Sequence, residues 1–144
     1  MMGVVFMGIV MMGWLARSWM KPKNVLNWQV FSSEVLAERV SQQRIVFVDF
    51  TADWCLSCKV NESLTFDRAS TQTFISKHNI ELLKADWTKQ DPKITQTLAR
   101  FNRIGVPLYL LFVPGKRDPI VLPEVLTAGV FVRAVEQALE GSLK

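Results

Sequence analysis

IVFVDFTADWCLSCK, residues 45–59, is the stretch whose reading decides the fold. Ile45, Val46, Phe47, Val48 and Phe50 form a short apolar run, mostly β-branched or aromatic. Such a run suits a strand buried on both faces of a sheet. Thr51, Ala52 and Asp53 end it. Cys55 and Cys58 follow at C-x-x-C spacing and are the two cysteines of the chain. The local order predicted is a strand, a tight connection, then a helix that opens on the cysteine pair.

Helix geometry gives that spacing its chemistry. With Cys55 at or just before the first turn, Cys58 lies about one turn on, on the same face. The two sulfurs can close a small disulfide ring or open to a dithiol with little backbone movement. Free N–H groups and the positive end of the helix dipole favour a thiolate at Cys55. The thiolate is the attacking species in disulfide exchange. Cys55, nearer the surface, is expected to attack, and Cys58, deeper in the helix, to resolve the mixed disulfide. Other uses of the pair fit less well. Zinc wants four ligands, and the chain has no second cysteine pair and one histidine, His78. A purely structural bridge would close too short a loop to constrain the unfolded chain much. Two ordinary buried thiols are the plain alternative, but C-x-x-C between a strand and a helix is a redox pattern.

VDFTADWCLSCK (48–59) resembles the active-site segment of the thioredoxin superfamily. ADWCLSCKVNE (52–62), LLKADWT (82–88) and GVPLYLLF (105–112) resemble, more narrowly, the C-terminal thioredoxin-like domain of DsbD-type and ScsB-type membrane thiol:disulfide interchange proteins. The resemblance covers residues 28–140. It implies an α/β fold with a central mixed β-sheet and helices on both faces.

Length and composition agree with one such domain. The 144 residues suffice for a core. Hydrophobic residues are 49% and charged residues 21%, a globular balance. The net charge of +4 is spread out, with small groups at Arg17–Lys23 and Lys116–Arg117. There is no basic stripe interleaved with aromatics, so no nucleic-acid partner is expected.

The first residues read differently. Met1–Ala16 is almost wholly apolar, and Arg17, Lys21 and Lys23 follow. A signal peptide would show a basic start and a small-residue cleavage site, and neither is evident. A spanning helix wants about 20 apolar residues, which this run reaches only with Arg17 snorkelling and Trp14 and Trp19 at the interface. Apolarity on all sides argues against a soluble core helix. Residues 1–20 are therefore expected to be a membrane anchor or the remnant of a last transmembrane helix, 21–27 a linker, and 28–144 the thioredoxin-like domain. Positive residues after the span, taken alone, place the domain in the cytoplasm. The resemblance implies the periplasmic side of a bacterial inner membrane instead.

Along the domain, Trp28–Phe31 suggests a short edge strand, and Ser32 or Ser33 caps a helix to about Gln42, with Val35, Leu36 and Val40 on one face. The active-site helix is expected to reach about Leu64, and a second piece spans Ser70–Lys77 with Phe74 and Ile75 inward. Ile80–Ala85 is the next strand. Asp91-Pro92 starts a helix to about Phe101. Leu108–Val113 and Ile120–Leu122 are strands joined through Pro114-Gly115, and Thr127–Glu140 closes the domain with Val130, Phe131, Ala134, Val135, Ala138 and Leu139 toward the sheet.

The resemblance also assigns roles. Val106-Pro107 matches the loop that carries a cis-proline against the cysteine pair, with Val106 offering backbone groups to a substrate strand; an ordinary trans-proline opening a strand would read the same in sequence. Asp49 matches a buried acid beneath the second cysteine, expected to move a proton for Cys58, with Lys84 as a partner. A carboxylate there is costly unless protonated or paired. Glu62, one turn past Cys58, matches a second acid; as a pKa-tuning group it implies a Cys55 less acidic than in a strong oxidant. Trp54 is expected to shield the pair and touch partners. Leu56 and Ser57 are neither Gly-Pro nor Pro-His, which leaves the potential open. Lys59 reads as solvated, His78 as a surface or cap residue, and Trp28 and Trp87 as packing.

These readings converge on a membrane-tethered protein-disulfide reductase without a cofactor other than its redox-active Cys55–Cys58 disulfide, and without a metal. Implied partners are a membrane electron-conducting domain with its own cysteine pair and oxidised periplasmic proteins, with a place in cytochrome c biogenesis; a monomer is expected. Two cysteines and at most one span cannot carry electrons across a membrane, so the conducting part is expected in the rest of a longer protein or in separate polypeptides. The rival readings are a thioredoxin-fold copper chaperone, which would want wider cysteine spacing and a histidine facing it, and a non-catalytic interaction module.

Overall fold

The computed structural model describes residues 26–142. The membrane segment expected at 1–20, most of the 21–27 linker and the last two residues lie outside the described residues. Among the described residues no helix is long and apolar enough to cross a membrane. The elements run β1 (Trp28–Val30), α1 (Ser33–Ser41), β2 (Val46–Thr51), α2 (Leu56–Phe66), α3 (Ala69–Lys77), β3 (Glu81–Asp86), α4 (Pro92–Arg100), β4 (Leu108–Phe112), β5 (Ile120–Leu122) and α5 (Ala128–Glu140). This is the expected order, with ends displaced by a residue or two.

The five strands form one sheet in the order β1-β3-β2-β4-β5. β1, β3 and β2 run parallel, while β4 is antiparallel to both β2 and β5. β2 is central and every one of its six residues is buried. A strand of this kind has no solvent face, which is why its sequence shows no polar alternation. Phe47, Asp49 and Thr51 point to one face, and Val46, Val48 and Phe50 to the other.

Each face has its own core. Phe47, Tyr109, Leu111 and Leu82 meet Phe66 of α2, Ile75 of α3 and Phe131, Val135 and Ala138 of α5. Phe131 is fully buried there, edge-on to Phe47 at 5.1 Å and to Phe66 at 5.6 Å. On the opposite face, Val46, Val48, Phe50, Leu108 and Leu110 meet Ile94 and Leu98 of α4. α1 lies on that side but has no buried residue; Val35 and Leu36 pack at its edge and Val40 is exposed. The structure thus confines the expected apolar face of α1 to two residues.

Helix starts are set by side chains that accept free N–H groups. Ser32 accepts from Val35, Asp91 from Lys93 and Ile94 with Pro92 behind it, and Thr127 from Val130. α2 is capped by Cys55 itself, whose sulfur accepts from the Cys58 N–H. Between β4 and β5, Gly115 takes a φ of +82°, a conformation that glycine adopts without penalty.

Candidate active site

Cys55 sits at the junction that β2 and α2 create. Its backbone is extended, its N–H donates to Ala52 O at 3.1 Å, and α2 begins at the next residue. Cys58 lies within the first turn of α2, three residues past Cys55. The two are joined by a disulfide with 5.3 Å between Cα atoms. Cys58 is fully buried and Cys55 is 6% exposed, so the outer sulfur is the N-terminal one, as expected. The Cys58 N–H points at Cys55 Sγ at 3.2 Å, and Ser57 Oγ lies 3.4 Å from that sulfur. Two donors and a helix N-terminus would therefore face a Cys55 thiolate once the disulfide opens.

The walls of the site come from three loops. The Val106-Pro107 peptide bond is cis, and Val106 packs on Ala52, Cys55 and Cys58. Ile104 stands fully exposed on the same loop. Trp54 is 56% exposed and Leu56 78% exposed, so the two residues flanking Cys55 present apolar surface to solvent. The Trp54 indole N–H donates to Thr88 O at 3.2 Å, and its ring lies 5.9 Å from that of Trp87.

Beneath α2, the central strand carries one acid. Asp49 is level with Lys84 on β3 and Tyr109 on β4. Directly opposed residues share a face, so all three point toward α2. Asp49 is fully buried, and neither of its oxygens has a hydrogen-bond partner among the described residues. Its carboxyl is pushed up to about 7, first by burial and then by the Glu62 charge, against the pull of Lys84 and Lys59. Glu62 lies one turn beyond Cys58 on the same face of α2. One of its oxygens accepts from Thr51 Oγ1 at 3.0 Å, and the other lies 3.4 Å from Lys84 Nζ.

That ion pair corrects one expectation. Lys84 was expected to partner Asp49, but its ammonium is paired with Glu62 and lies 4.8 Å over the Trp28 ring. The physical reason is hydration. Glu62 and Lys84 both keep part of their side chains in water, whereas pairing inside the sheet would strip the ammonium of it. Lys84 reaches Asp49 only through its field. Glu62 is tied to β2 and β3 by these two contacts and acts on Asp49.

Lys59, His78, Trp28 and Trp87 fall where the sequence placed them. Lys59 is half-exposed, 3.9 Å from Asp53 Oδ1. His78 follows α3 as its C-terminal cap, with its ring 4.3 Å from Phe74. Trp28 packs edge-on to Phe66 and Trp87 is buried. Among the described residues no group of three or more His, Cys, Asp or Glu could hold a metal ion.

Three residues that the sequence reading did not single out also shape the site. Asn61 is buried, and its amide donates to Tyr109 Oη at 2.9 Å and to Glu124 O at 2.6 Å, fastening α2 to β4 and to the segment after β5. Burial raises the Tyr109 phenol above its ordinary range. Thr51 orients Glu62. A polar Asn one helical turn past Cys58, on the face toward the sheet, was the available signal for the first of these.

Comparison with known proteins places this geometry. A family model described as thioredoxin-like matches residues 27–114. The chain is 32% identical over 107 residues to the thiol:disulfide interchange protein DsbD of Ralstonia nicotianae, covering 74% of this chain and 17% of that protein. It is 35% identical over 101 residues to DsbD 1 of Pseudomonas aeruginosa, covering 68% of this chain and again 17% of the relative. The chain thus spans a small part of the curated relatives it matches. Among solved structures, the oxidised C-terminal domain of Neisseria meningitidis DsbD aligns with a TM-score of 0.56 at 19% identity, covering 76% of this chain and 98% of that one. A thioredoxin from Thermus thermophilus aligns with a TM-score of 0.64 at 16% identity, covering 81% and 89%. With the same fold in these neighbours and a family match over more than half of its length, the chain belongs to the thioredoxin-like family.

Proposed function

We propose that this domain is a thiol:disulfide oxidoreductase working as a protein-disulfide reductase, tethered to the bacterial inner membrane and facing the periplasm. The observation that carries the reading is the Cys55–Cys58 disulfide across the first turn of α2, with its outer sulfur at the helix N-terminus. The likeness to DsbD proteins supports the class of reaction, and the apolar stretch at 1–20 supports the tether.

The chemistry follows from the positions. In the reduced form, the Cys55 thiolate attacks one sulfur of a client disulfide. A Cys55–client bond forms, and the other client sulfur leaves as a thiolate that takes up a proton. Cys58 then loses its proton and attacks Cys55 Sγ. The Cys55–Cys58 bond forms, the client's second sulfur leaves, and two electrons have passed to the client. Asp49 is the acceptor for the Cys58 proton: it lies under α2, it has no competing hydrogen bond, and its affinity for a proton is balanced near neutrality. Glu62 tunes this acid through its charge. Pro107 and Val106 form the wall against which a client strand lies, and Trp54 borders it. A partner dithiol reverses the steps and restores the reduced pair. That donor is a membrane electron-conducting domain or protein with its own cysteine pair; the clients are oxidised periplasmic proteins.

Insulin reduction driven by dithiothreitol tests the activity. Turnover by the wild-type chain and its loss in Cys55→Ser is the expected result. An unaltered rate in Cys55→Ser removes the reading. So does stoichiometric copper binding without turnover, which would favour the metal-carrying alternative.

A further inference from the structure

The Asp86-Trp87-Thr88 segment has no part in the sulfur chemistry, yet the site is built onto it. Thr88 lies just past β3 and meets the connection between β2 and Cys55 at two points. Its hydroxyl oxygen accepts the Asp53 N–H at 2.9 Å, and its carbonyl accepts the Trp54 indole N–H at 3.2 Å. Thr88 is itself held. Its N–H donates to Asp86 Oδ1 at 2.9 Å, and its hydroxyl is bonded to the same oxygen. These two bonds keep the Asp86 carboxyl below its ordinary range, so it is an anion and accepts only. The hydroxyl proton therefore points to Asp86, which leaves the oxygen lone pairs for Asp53. The turn is rigid behind it: Trp87 N–H donates to Thr51 O at 2.8 Å, and its indole N–H donates to Thr95 Oγ1 at 2.8 Å.

The beneficiary is Trp54. An indole that is 56% exposed gains little from burial, so directional contacts must fix it. Those contacts are Thr88 O and the Trp87 ring. Trp54 in turn is the residue before the attacking sulfur, at the edge where a protein partner would arrive. A small disulfide reaching Cys55 has no need of that edge.

We infer that Asp86 and Thr88 form a latch that holds the Asp53-Trp54 connection, with Thr88 as a positioning residue that selects for protein partners over small disulfides. The inference rests on the reading of Cys55 as the attacking sulfur. Thr88→Val keeps the side-chain shape and removes the hydroxyl; Thr88→Ser restores it. Three readouts are taken on the full chain: insulin reduction, the reaction of the reduced protein with the small disulfide DTNB, and hydrogen exchange of the Asp53 amide by NMR.

In Thr88→Val, kcat/KM for insulin is expected to fall about threefold to thirtyfold, mainly through KM, the range that one or two ordinary hydrogen bonds cover. The DTNB rate stays within about twofold, and the Asp53 amide exchanges faster, as expected for an N–H that has lost its acceptor. Thr88→Ser returns all readouts toward wild type. In a Trp54→Ala background, Thr88→Val adds less than about a twofold further loss, because the hydroxyl, by holding the Asp53 N–H, acts on clients through the placement of Trp54. Wild-type insulin kinetics and wild-type Asp53 protection in Thr88→Val overturn the latch. Equal losses toward insulin and DTNB overturn it as well, since they place the effect on Cys55 itself. Full additivity with Trp54→Ala does the same. Should the wild-type chain react with DTNB but not reduce insulin, the proposed reductase activity fails instead, and Asp53 exchange still decides the latch.

Discussion

Replacing Asp49 by Asn should make the stability of the oxidised domain far less sensitive to pH. An acid whose pKa is higher in the folded than in the unfolded chain binds its proton more tightly when folded. Its contribution is fully present below the unfolded value, near 3.8, and is lost as pH rises through the folded value of about 7. The interval from 3.8 to about 7, at about 1.4 kcal/mol per pH unit, amounts to about 4 kcal/mol by pH 8. That is a large share of the roughly 5–15 kcal/mol that holds a domain of this size together. Urea unfolding of the oxidised full chain at steps from pH 4 to pH 8 measures it, since neither cysteine titrates while the disulfide is closed. Wild type should lose several kcal/mol over this window. Asp49→Asn should lose much less and become the more stable protein at pH 8, even though its amide brings an unpaired buried donor that costs about 1–3 kcal/mol at every pH. Asp49→Leu, without that donor, should show the same flattening. Parallel curves for wild type and both variants would refute the placement of the proton on Asp49.

Glu62→Gln removes a neighbouring negative charge and frees Lys84 to act on Asp49, and both changes lower the Asp49 pKa; the wild-type loss of stability should therefore move to lower pH in the same urea series. Ser57→Ala removes a hydroxyl 3.4 Å from Cys55 Sγ, so iodoacetamide should alkylate the reduced protein about twofold to tenfold more slowly at pH 7, and an unchanged rate would dismiss Ser57 as a donor to the thiolate. Phe131→Ala empties the junction of Phe47, Phe66 and Phe74 and should cost about 3–5 kcal/mol in urea unfolding, with the DTNB rate of the folded protein little changed.

The parts of this fold that read from sequence are those governed by local rules. β2 announced itself because a strand buried on both sides needs apolar residues at nearly every position, and Asp49 stood out within it for the same reason. The helix starts at Ser32 or Ser33 and at Asp91-Pro92 followed from residue type beside an apolar period; Ser32 is the cap of the first, and Thr127, read as the first residue of α5, caps it instead. What could not be read is what depends on residues far apart in the chain. Trp54 and Thr88 are 34 positions apart, and Asn61 and Tyr109 are 48 apart. Thr88 looks like any residue after a strand until the sheet brings it beside Asp53. The choice of Lys84 between two acids was likewise invisible, because it turns on which carboxylate keeps its water. Sequence periodicity records which face is apolar, not which charge stays wet. The face of α1 shows the limit from the other side: Val40 fits the helical period and still lies exposed, on an open groove lined also by Leu36, Phe50 and Phe112.

The most direct test of the central claim is a trap for the mixed disulfide in cells. Cys58→Ala leaves Cys55 able to attack and unable to be released. The account predicts reductant-sensitive adducts on Cys58→Ala, among them a membrane protein with a cysteine pair and periplasmic redox clients, and none on the Cys55→Ala, Cys58→Ala double variant. Adducts on Cys55→Ala in place of Cys58→Ala, or no adducts on a folded Cys58→Ala protein, would contradict it.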